Sequence, residues 1–313
     1  MGRGERGDLS DAEWERLRPF LPVSNGRCGR WRDHRQVIDG ILHRVRTGVH
    51  WRDLPERFGP WKTVYERHRL WSADVTWELL LHQVQAAADA AGEIDWDVSV
   101  DSTIVRAHQH AAGARTDPPP AIAGSKGDET GTPGRSSVAE PRQPAGGGGA
   151  GGEGLGRSRG GFTSKIHLSA DGRCRPLSLI VTPGQRADCT QFAPVLEKIR
   201  VPRRGSGRPR KTPDSVAADK AYSNGPCRQY LRRRGIRHTI PEKADSRAAR
   251  LRKGSRGGRP PGFDEERYKK RNTVERAVNR LKNFRAVATR YDKRGYVFLG
   301  TVSAAAVIVW LRS

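Results

Sequence analysis

The chain has 313 residues, with 58 Lys and Arg against 34 Asp and Glu, giving a net charge of +24. That length suits two or three domains and excludes a peptide or a single small binding module. Only 35% of residues are hydrophobic, and no apolar run reaches the roughly 20 residues of a membrane span, which excludes a multi-span membrane protein. The start of the chain is rich in charge and has no apolar signal segment, so we expect a cytoplasmic protein with no membrane partner.

The positive charge is unevenly distributed, since +21 of the net +24 lies in residues 201–313. A coding bias toward Arg would spread the charge along the chain. A concentrated cationic surface instead suits a polyanion, because each neutralised phosphate releases condensed counterions. The charge pattern therefore favours nucleic acid as the partner.

Residues 1–92 have the pattern of a helical domain. A capping box of Ser10 and Glu13 predicts a first helix, and an apolar stripe at helical spacing predicts a second between Asp33 and Gly48. A third helix is expected to begin near Trp61, and a fourth to cover 76–90. This region is interpreted as a DNA-binding domain.

The third helix carries basic residues after a turn, as in a helix-turn-helix. Residues 62–70 are the candidate recognition helix, with Lys62, Arg67 and Arg69 on its exposed face as candidate DNA contacts. A plain helical bundle with a solvated basic face explains this segment equally well.

Residues 93–313 are predicted to form an α/β domain. Strand patterns cover 96–105, 163–168, 175–181, 215–218 and 236–240, and helical patterns cover 191–199, 226–234, 264–284 and 298–311. Three antiparallel strands followed by alternating helices and strands are typical of an RNase H-like mixed sheet with flanking helices. Residues 111–161 interrupt it. They are rich in Gly and Pro and poor in apolar residues, which predicts a disordered insert.

Three acidic residues stand out in this domain. Asp101 lies inside the β-branched first strand, where Asp is unfavourable, and Asp219 directly follows the 215–218 strand. Glu275 lies in the predicted 264–284 helix. If the first and fourth strands are neighbours, the three carboxylates converge, and oxygen ligands of this kind suit Mg²⁺ or Mn²⁺. In the same helix, Tyr268, Arg271, Glu275 and Lys282 share one face within an arc of roughly 60°.

These motifs together resemble the DDE transposases of bacterial insertion sequences, specifically the insertion-sequence-five family. The resemblance covers nearly the whole chain apart from 111–161. It rests on the segments 51–55 (WRDLP), 101–108 (DSTIVRAH), 156–167 (GRSRGGFTSKIH) and 218–222 (ADKAY), and on the Y-R-E-K spacing of Tyr268, Arg271, Glu275 and Lys282.

The resemblance implies cleavage of the element's DNA ends and their transfer to target DNA. Asp101 would bridge two Mg²⁺ or Mn²⁺ ions, with Asp219 and Glu275 holding one each, since phosphodiester displacement commonly uses two cations about 3.5–4 Å apart. Tyr268, Arg271 and Lys282 would grip DNA near the scissile phosphate, with Arg271 also orienting Glu275. The partners implied are double-stranded DNA, as terminal inverted repeats and target, and further copies of the chain assembled on DNA in the nucleoid.

Two other functions remain open from the sequence. A DNA-binding regulator, or an inactive transposase-derived protein, would keep the fold and charge without turnover, although retention of all three acids argues against it. A repair-type RNase H-like nuclease would not account for the N-terminal helices.

Overall fold

The computed structural model describes residues 7–22, 33–112, 152–158 and 160–313. The N-terminal helices are α1 (Asp11–Leu17), α2 (His34–Thr47), α3 (Trp61–Ala73) and α4 (Thr76–Ala90). Ser10 Oγ accepts from the Glu13 backbone N–H at 3.2 Å, and Glu13 accepts from the Ser10 N–H at 2.8 Å. Gly48 ends α2 in the left-handed conformation, with φ 73°, which favours glycine. The four predicted helices and the capping box are confirmed.

The rest of the chain forms seven strands and eight further helices in the described residues. The strands are β1 (Asp97–Ala107), β2 (Gly156–Ser158), β3 (Gly161–Ala170), β4 (Pro176–Pro183), β5 (Ser215–Ala218), β6 (Arg237–Thr239) and β7 (Thr289–Arg290). The helices are α5 (Gln109–Ala112), α6 (Phe192–Glu197), α7 (Gly225–Arg233), α8 (Ala244–Arg252), α9 (Glu265–Lys269), α10 (Asn272–Lys282), α11 (Arg285–Ala288) and α12 (Gly295–Leu311).

All seven strands belong to one mixed sheet, whose main path is β2-β3-β1-β5-β6, with β4 paired to β3 and β7 paired to β1. Strand β3 runs antiparallel to β1, β2 and β4, whereas β5 runs parallel to β1 and β6. Helices α6 and α10 both pack against β3. The predicted mixed sheet with flanking helices, preceded by a helical region, is confirmed at this level.

Helix α12 joins the N-terminal helices to the sheet. Fifteen of its seventeen residues are buried, and it packs against α2, α3, α4 and β4. At Gly300 a β-carbon would lie 2.0 Å from Ser72 Oγ, so only glycine permits this approach to α3. The predicted division at 92/93 falls between α4 and β1, and the residues on both sides of it contribute to one continuous apolar core. No helix in the described ranges is both long enough and apolar enough to cross a bilayer.

The prediction of a disordered insert over 111–161 is wrong at both ends. At the N-terminal end, Ala111 lies in α5 and is buried. Leu155 and Glu153 are buried, and residues 156–158 pair with β3 as strand β2. Glu153 also forms an ion pair with Arg294 at 2.7 Å, ahead of α12. Composition could not predict these few buried residues, because glycine dominates the stretch that contains them. Residues 113–151 and 159 lie outside the described residues.

Candidate active site

The first two acidic residues meet at adjacent strands. In the parallel pairing of β1 with β5, Val100 lies opposite Ala218, so the next residues on the two strands are Asp101 and Asp219. Asp101 Oδ1 accepts from the Ser102 N–H at 2.8 Å, and Asp219 Oδ1 accepts from the Ala221 N–H at 2.8 Å. These local bonds hold both carboxylates at the carboxyl end of β5, the usual position of ligand sites in open α/β sheets.

Helices α9 and α10 lie across this part of the sheet. Arg267 on α9 donates to the Val98 carbonyl and to Ser215 Oγ, both at 2.7 Å. Thr273 on α10 hydrogen-bonds Ser99 Oγ at 3.3 Å. The two helices are therefore tied to β1 and to the start of β5, which brings α10 over Asp101.

The predicted single helix over 264–284 is wrong, because it breaks between α9 and α10. The Arg271 N–H bonds the Tyr268 carbonyl, and the Val274 N–H bonds the Arg271 carbonyl. These are i to i−3 bonds, which tighten the chain locally in place of the i to i−4 ladder. Tyr268 thus belongs to α9 and Glu275 to α10, so the four Y-R-E-K side chains do not share one helical arc.

Arg271 stands at this break and joins two of the predicted carboxylates. Its Nη1 lies 3.3 Å from Asp101 Oδ2, and its Nη2 donates to Glu275 Oε1. Burial acts to lower the pKa of Arg271, but the charges of Asp101 and Glu275 outweigh it and raise that pKa. Glu275 is 49% exposed, so the bridge closes only one side of that carboxylate.

The three carboxylates do not form a closed ligand set. Among the described residues, no group of three or more His, Cys, Asp or Glu side chains is placed to hold a metal ion. The structure brings Asp101 and Asp219 together, and it connects Glu275 to Asp101 through Arg271. We expected three carboxylates to converge directly. Only the two aspartates do so, because Glu275 reaches Asp101 through Arg271.

Negative charge at the aspartates is incompletely balanced. Burial, reinforced by the charge of Asp219, raises the pKa of Asp101, although Arg271 and the Ser102 N–H oppose the shift. Burial and the charges of Asp101, Asp188 and Asp219 raise the pKa of Tyr222. A cation at this site would balance the charges of the two aspartates.

A fourth carboxylate, which the sequence did not indicate, lies next to this site. Asp188 Oδ1 accepts from Ser102 Oγ at 2.7 Å and from Lys165 Nζ at 2.9 Å. Burial acts to raise the pKa of Asp188, but these two bonds hold it below its usual value. Burial lowers the pKa of nearby His167 to about 4. Lys165 and His167 belong to the 156–167 motif, but the Asp188 partner could not be found without the fold.

The two remaining Y-R-E-K residues contact Arg271 and strand β1. The Tyr268 ring centroid lies 5.9 Å from Arg271 Cζ. Lys282 Nζ donates to the Ile104 carbonyl at 3.2 Å, farther along β1. The row therefore runs from Tyr268 past the carboxylates to Lys282.

The candidate recognition helix is largely covered. Helix α3 packs against α2, α4 and α12, and only Lys62 within it is exposed. The expected exposure of Arg67 is wrong. This residue is 8% exposed, and its guanidinium lies 5.5 Å from the Trp71 ring. Arg69 is partly exposed and paired with Glu66 at 2.8 Å.

Comparison with known proteins identifies the family of the chain. Residues 94–310 match the family model described as "Transposase DDE domain". The chain belongs to the DDE transposases. Residues 9–81 of this transposase also match the model "Putative transposase of IS4/5 family". The resemblance found in the sequence is confirmed.

Individual relatives agree with the family models. A 109-residue stretch, 34% of the transposase, is 42% identical to uncharacterized protein y4sN of Sinorhizobium fredii and covers 82% of it. A 151-residue stretch, 48% of the chain, is 29% identical to a "putative transposase for insertion sequence element IS6501" of Brucella ovis and covers all of it. No solved structure matches the chain. The protein is an insertion-sequence transposase, an enzyme of the DDE class.

Proposed function

We propose that this transposase cleaves the DNA ends of its insertion sequence and joins them to target DNA at Asp101, Asp219 and Glu275. The observation that carries the proposal is the Arg271 bridge, which holds Glu275 to Asp101 beside Asp219. The order β4-β3-β1-β5-β6, with β3 antiparallel to β1 and β5 parallel to it, supports an RNase H-like fold. Such a fold would present all three acids on one side of the sheet.

The donor set fits hard divalent cations. Carboxylate oxygens are the ligands that Mg²⁺ and Mn²⁺ prefer, and Asp101 and Asp219 follow paired residues of adjacent strands, so a cation there would balance two neighbouring negative charges. Two ions would be held, with Asp101 as the shared ligand and Asp219 and Glu275 on either side. Bound there, they would activate the attacking water or 3′-hydroxyl and stabilise the departing oxygen.

The protein side chains position the reactants. Arg271 fixes Glu275 relative to Asp101, and its remaining N–H groups can donate to a phosphate oxygen. Lys282 lies farther along β1, where it would contact the phosphate backbone, and the Tyr268 ring would pack against the DNA beside Arg271. No side chain is required as a nucleophile, because water and the DNA 3′-hydroxyl serve in turn.

Binding to the terminal repeats would use the basic surface of residues 201–313 and the N-terminal helices. Lys62 and Arg69 are the accessible basic residues of α3, so they are retained as proposed DNA contacts. Arg67 is proposed only to support the helix. Phosphate contacts set position and carry little sequence information. Assembly of several copies on the two ends of the element completes the proposal.

Substitution of the acidic residues tests the proposal directly. Asp101→Ala, Asp219→Ala and Glu275→Ala are each expected to reduce Mg²⁺-dependent cleavage of terminal-repeat DNA by more than about 100-fold, beyond the loss typical of supporting residues. Binding of the same DNA should persist. Glu265→Ala is a matched control, since Glu265 is exposed on α9 and pairs with Lys269. Full cleavage by Glu275→Ala would overturn the assignment of that residue.

A further inference from the structure

A large cleft lies away from the carboxylates, between the N-terminal helices and the end of β1. Its volume is about 910 Å³, within the range of sites that enclose a small organic molecule. Three segments form its walls: the turn at 48–53 with the adjoining face of α3, residues 109–110 after β1, and residues 291–294 before α12. We call it the aromatic cleft.

Aromatic rings dominate the walls. Trp51, Trp61, Tyr65 and Tyr291 are partly exposed there, and His50 is exposed. The Trp51 and Tyr65 rings meet edge to face with centroids 5.5 Å apart. Rings packed only for stability would be buried, as Trp71 and Trp77 are. Partly exposed rings in a concave site instead offer flat surfaces for stacking.

Tyr291 has the most developed stacking arrangement. Its ring stacks on His108 with centroids 4.6 Å apart and an interplanar angle of 23°. His108 in turn contacts His110, with centroids 4.5 Å apart. The structure places these two histidines in a row of rings that leads into the cleft.

Positive charge accompanies the rings. Arg52 is exposed, and its guanidinium lies 5.6 Å from the Trp61 ring centroid. Lys293 is exposed at the opposite wall. Asp53 also lines the cleft, and Asp292 at its base is neutralised by Arg44. Cations beside partly exposed rings are the combination that binds single-stranded nucleic acid, by phosphate contact and base stacking.

The position of the cleft relates it to the proposed function, on which this inference rests. Strand β1 leads from Asp101 to His108, a span of roughly 23 Å in extended chain. That span corresponds to about seven nucleotide steps of a DNA strand. Lys282 donates to the Ile104 carbonyl along this path. A DNA strand that leaves the carboxylates along β1 would pass Lys282 before it reaches the cleft.

We propose that the aromatic cleft binds an unpaired stretch of DNA strand, with bases stacked on Tyr291 and on the tryptophan rings. Duplex DNA would leave these rings unused, because its base faces are covered by neighbouring pairs. The cleft is therefore a site for single-stranded DNA, distinct from the carboxylate site and from duplex contacts on the basic surface.

The experiment measures equilibrium binding of a short fluorescein-labelled oligothymidine by anisotropy, in EDTA and at fixed salt. Tyr291→Ala is expected to weaken binding about 5- to 150-fold, the range for loss of a stacked base. Tyr291→Phe keeps the ring and should bind within about twofold of the unmodified protein. Two further probes separate stacking from charge: a duplex of the same length, and an oligonucleotide of abasic sites. Neither should respond to Tyr291→Ala.

A charge variant keeps the test decisive if Tyr291→Ala fails to fold. Lys293→Ala is expected to lower the steepness of the salt dependence by about 0.7, the value for one phosphate contact on a single strand. Arg173→Ala removes an exposed charge at the turn between β3 and β4, outside residues 201–313 and away from the cleft, and should not change the oligothymidine affinity.

Two results would overturn the proposal. One is unchanged oligothymidine binding by Tyr291→Ala and Lys293→Ala, and the other is an equal loss for oligothymidine, duplex and abasic DNA. Because the assay contains no divalent cation, such a failure would leave the carboxylate assignment standing. Loss of cleavage in the acidic variants is measured separately.

Discussion

Two clusters in this transposase pair an arginine with an aspartate, and they differ in what surrounds the pair. At the candidate active site, Arg271 bridges Asp101 and Glu275, and both carboxylates retain access to solvent. Beneath the aromatic cleft, Arg44 pairs with Asp292 at 3.0 Å, and their side chains are only 5% and 3% exposed. The first pair lies over the sheet, and the second lies where α2 meets the start of α12.

A chain of hydrogen bonds ends on the aspartate of the buried pair. Trp77 Nε1 donates to His68 Nδ1 at 3.1 Å, so the His68 proton is on Nε2, which contacts Thr301 Oγ1 at 3.1 Å. Thr301 then donates to Asp292 Oδ2 at 2.9 Å. Burial acts to raise the pKa of Asp292, but the Arg44 charge holds it below its usual value. At the active site the aspartates have fewer partners, and the pKa of Asp101 is raised.

We propose that this difference separates a structural ion pair from one that serves catalysis. The Arg44 pair satisfies its own charges and is expected to stabilise the junction of the N-terminal helices with α12. The Arg271 bridge leaves negative charge that a cation can balance. If so, substitutions should lower the free energy of unfolding most at the buried pair and least at the candidate active site.

The largest effect is expected for Asp292→Ala, because it leaves the Arg44 charge buried without its partner. Breaking a buried pair in this way typically costs about 3–5 kcal/mol of unfolding free energy, measurable by urea denaturation. The double variant Arg44→Met with Asp292→Leu removes both charges and should recover much of the loss. A loss below about 1 kcal/mol for Asp292→Ala, the range of an exposed pair, would contradict the contrast.

The next effect concerns pH and His68. Burial lowers the pKa of His68 to about 4, so in the folded state this ring stays neutral while the unfolded chain takes up a proton. The contribution of His68 to the free energy of unfolding is at its full value above about pH 6.5. It falls by about 3 kcal/mol as the pH falls toward 4.

A His68→Gln variant isolates this contribution. Burial raises the pKa of Asp39 to about 6, which adds stability on acidification and partly masks His68 in the unmodified protein. The difference between unmodified protein and His68→Gln in urea unfolding should therefore shrink as pH falls from 6.5 to 4. A pH-independent difference would show that His68 does not remain neutral in the fold.

A smaller effect is expected at Glu153, ahead of α12. Its carboxylate accepts from the Gly295 N–H and pairs with Arg294, so it satisfies a donor at the helix start, where a negative charge is favourable. Glu153→Ala should cost about 1.5–3 kcal/mol of unfolding free energy, the value of bonds to a charged group.

Replacing 115–150 with a short Gly-Ser linker should change the melting temperature by only a few degrees. If the linker replacement lowered the free energy of unfolding as much as Glu153→Ala does, the anchoring role of Glu153 would be contradicted.

How far the sequence could predict these regions depends on the range of the interactions. The strand patterns around Asp101 and Asp219 are local, so the two strands were predictable, whereas their pairing was expected only from the RNase H-like strand order. Arg44 and Asp292 are separated by 248 residues, and no local pattern connects them. Arg67 was misplaced for the same reason, since its guanidinium lies against His34 of α2. Helical spacing alone could not show the break at Arg271, where i to i−3 backbone bonds replace the regular ladder.

The smallest effect on stability is expected at the active site itself. Arg271→Gln removes a partly exposed bridge, so the free energy of unfolding should change by less than about 1 kcal/mol. Cleavage should nevertheless fall about 10- to 100-fold, as for residues that orient metal ligands, because Glu275 loses its connection to Asp101. Arg271→Lys keeps the charge but lacks the planar fork that spans two carboxylates, so its cleavage should also be reduced. If Arg271→Gln instead destabilises the protein by several kcal/mol, this bridge is structural in the same sense as Arg44 with Asp292, and the distinction between the two clusters fails.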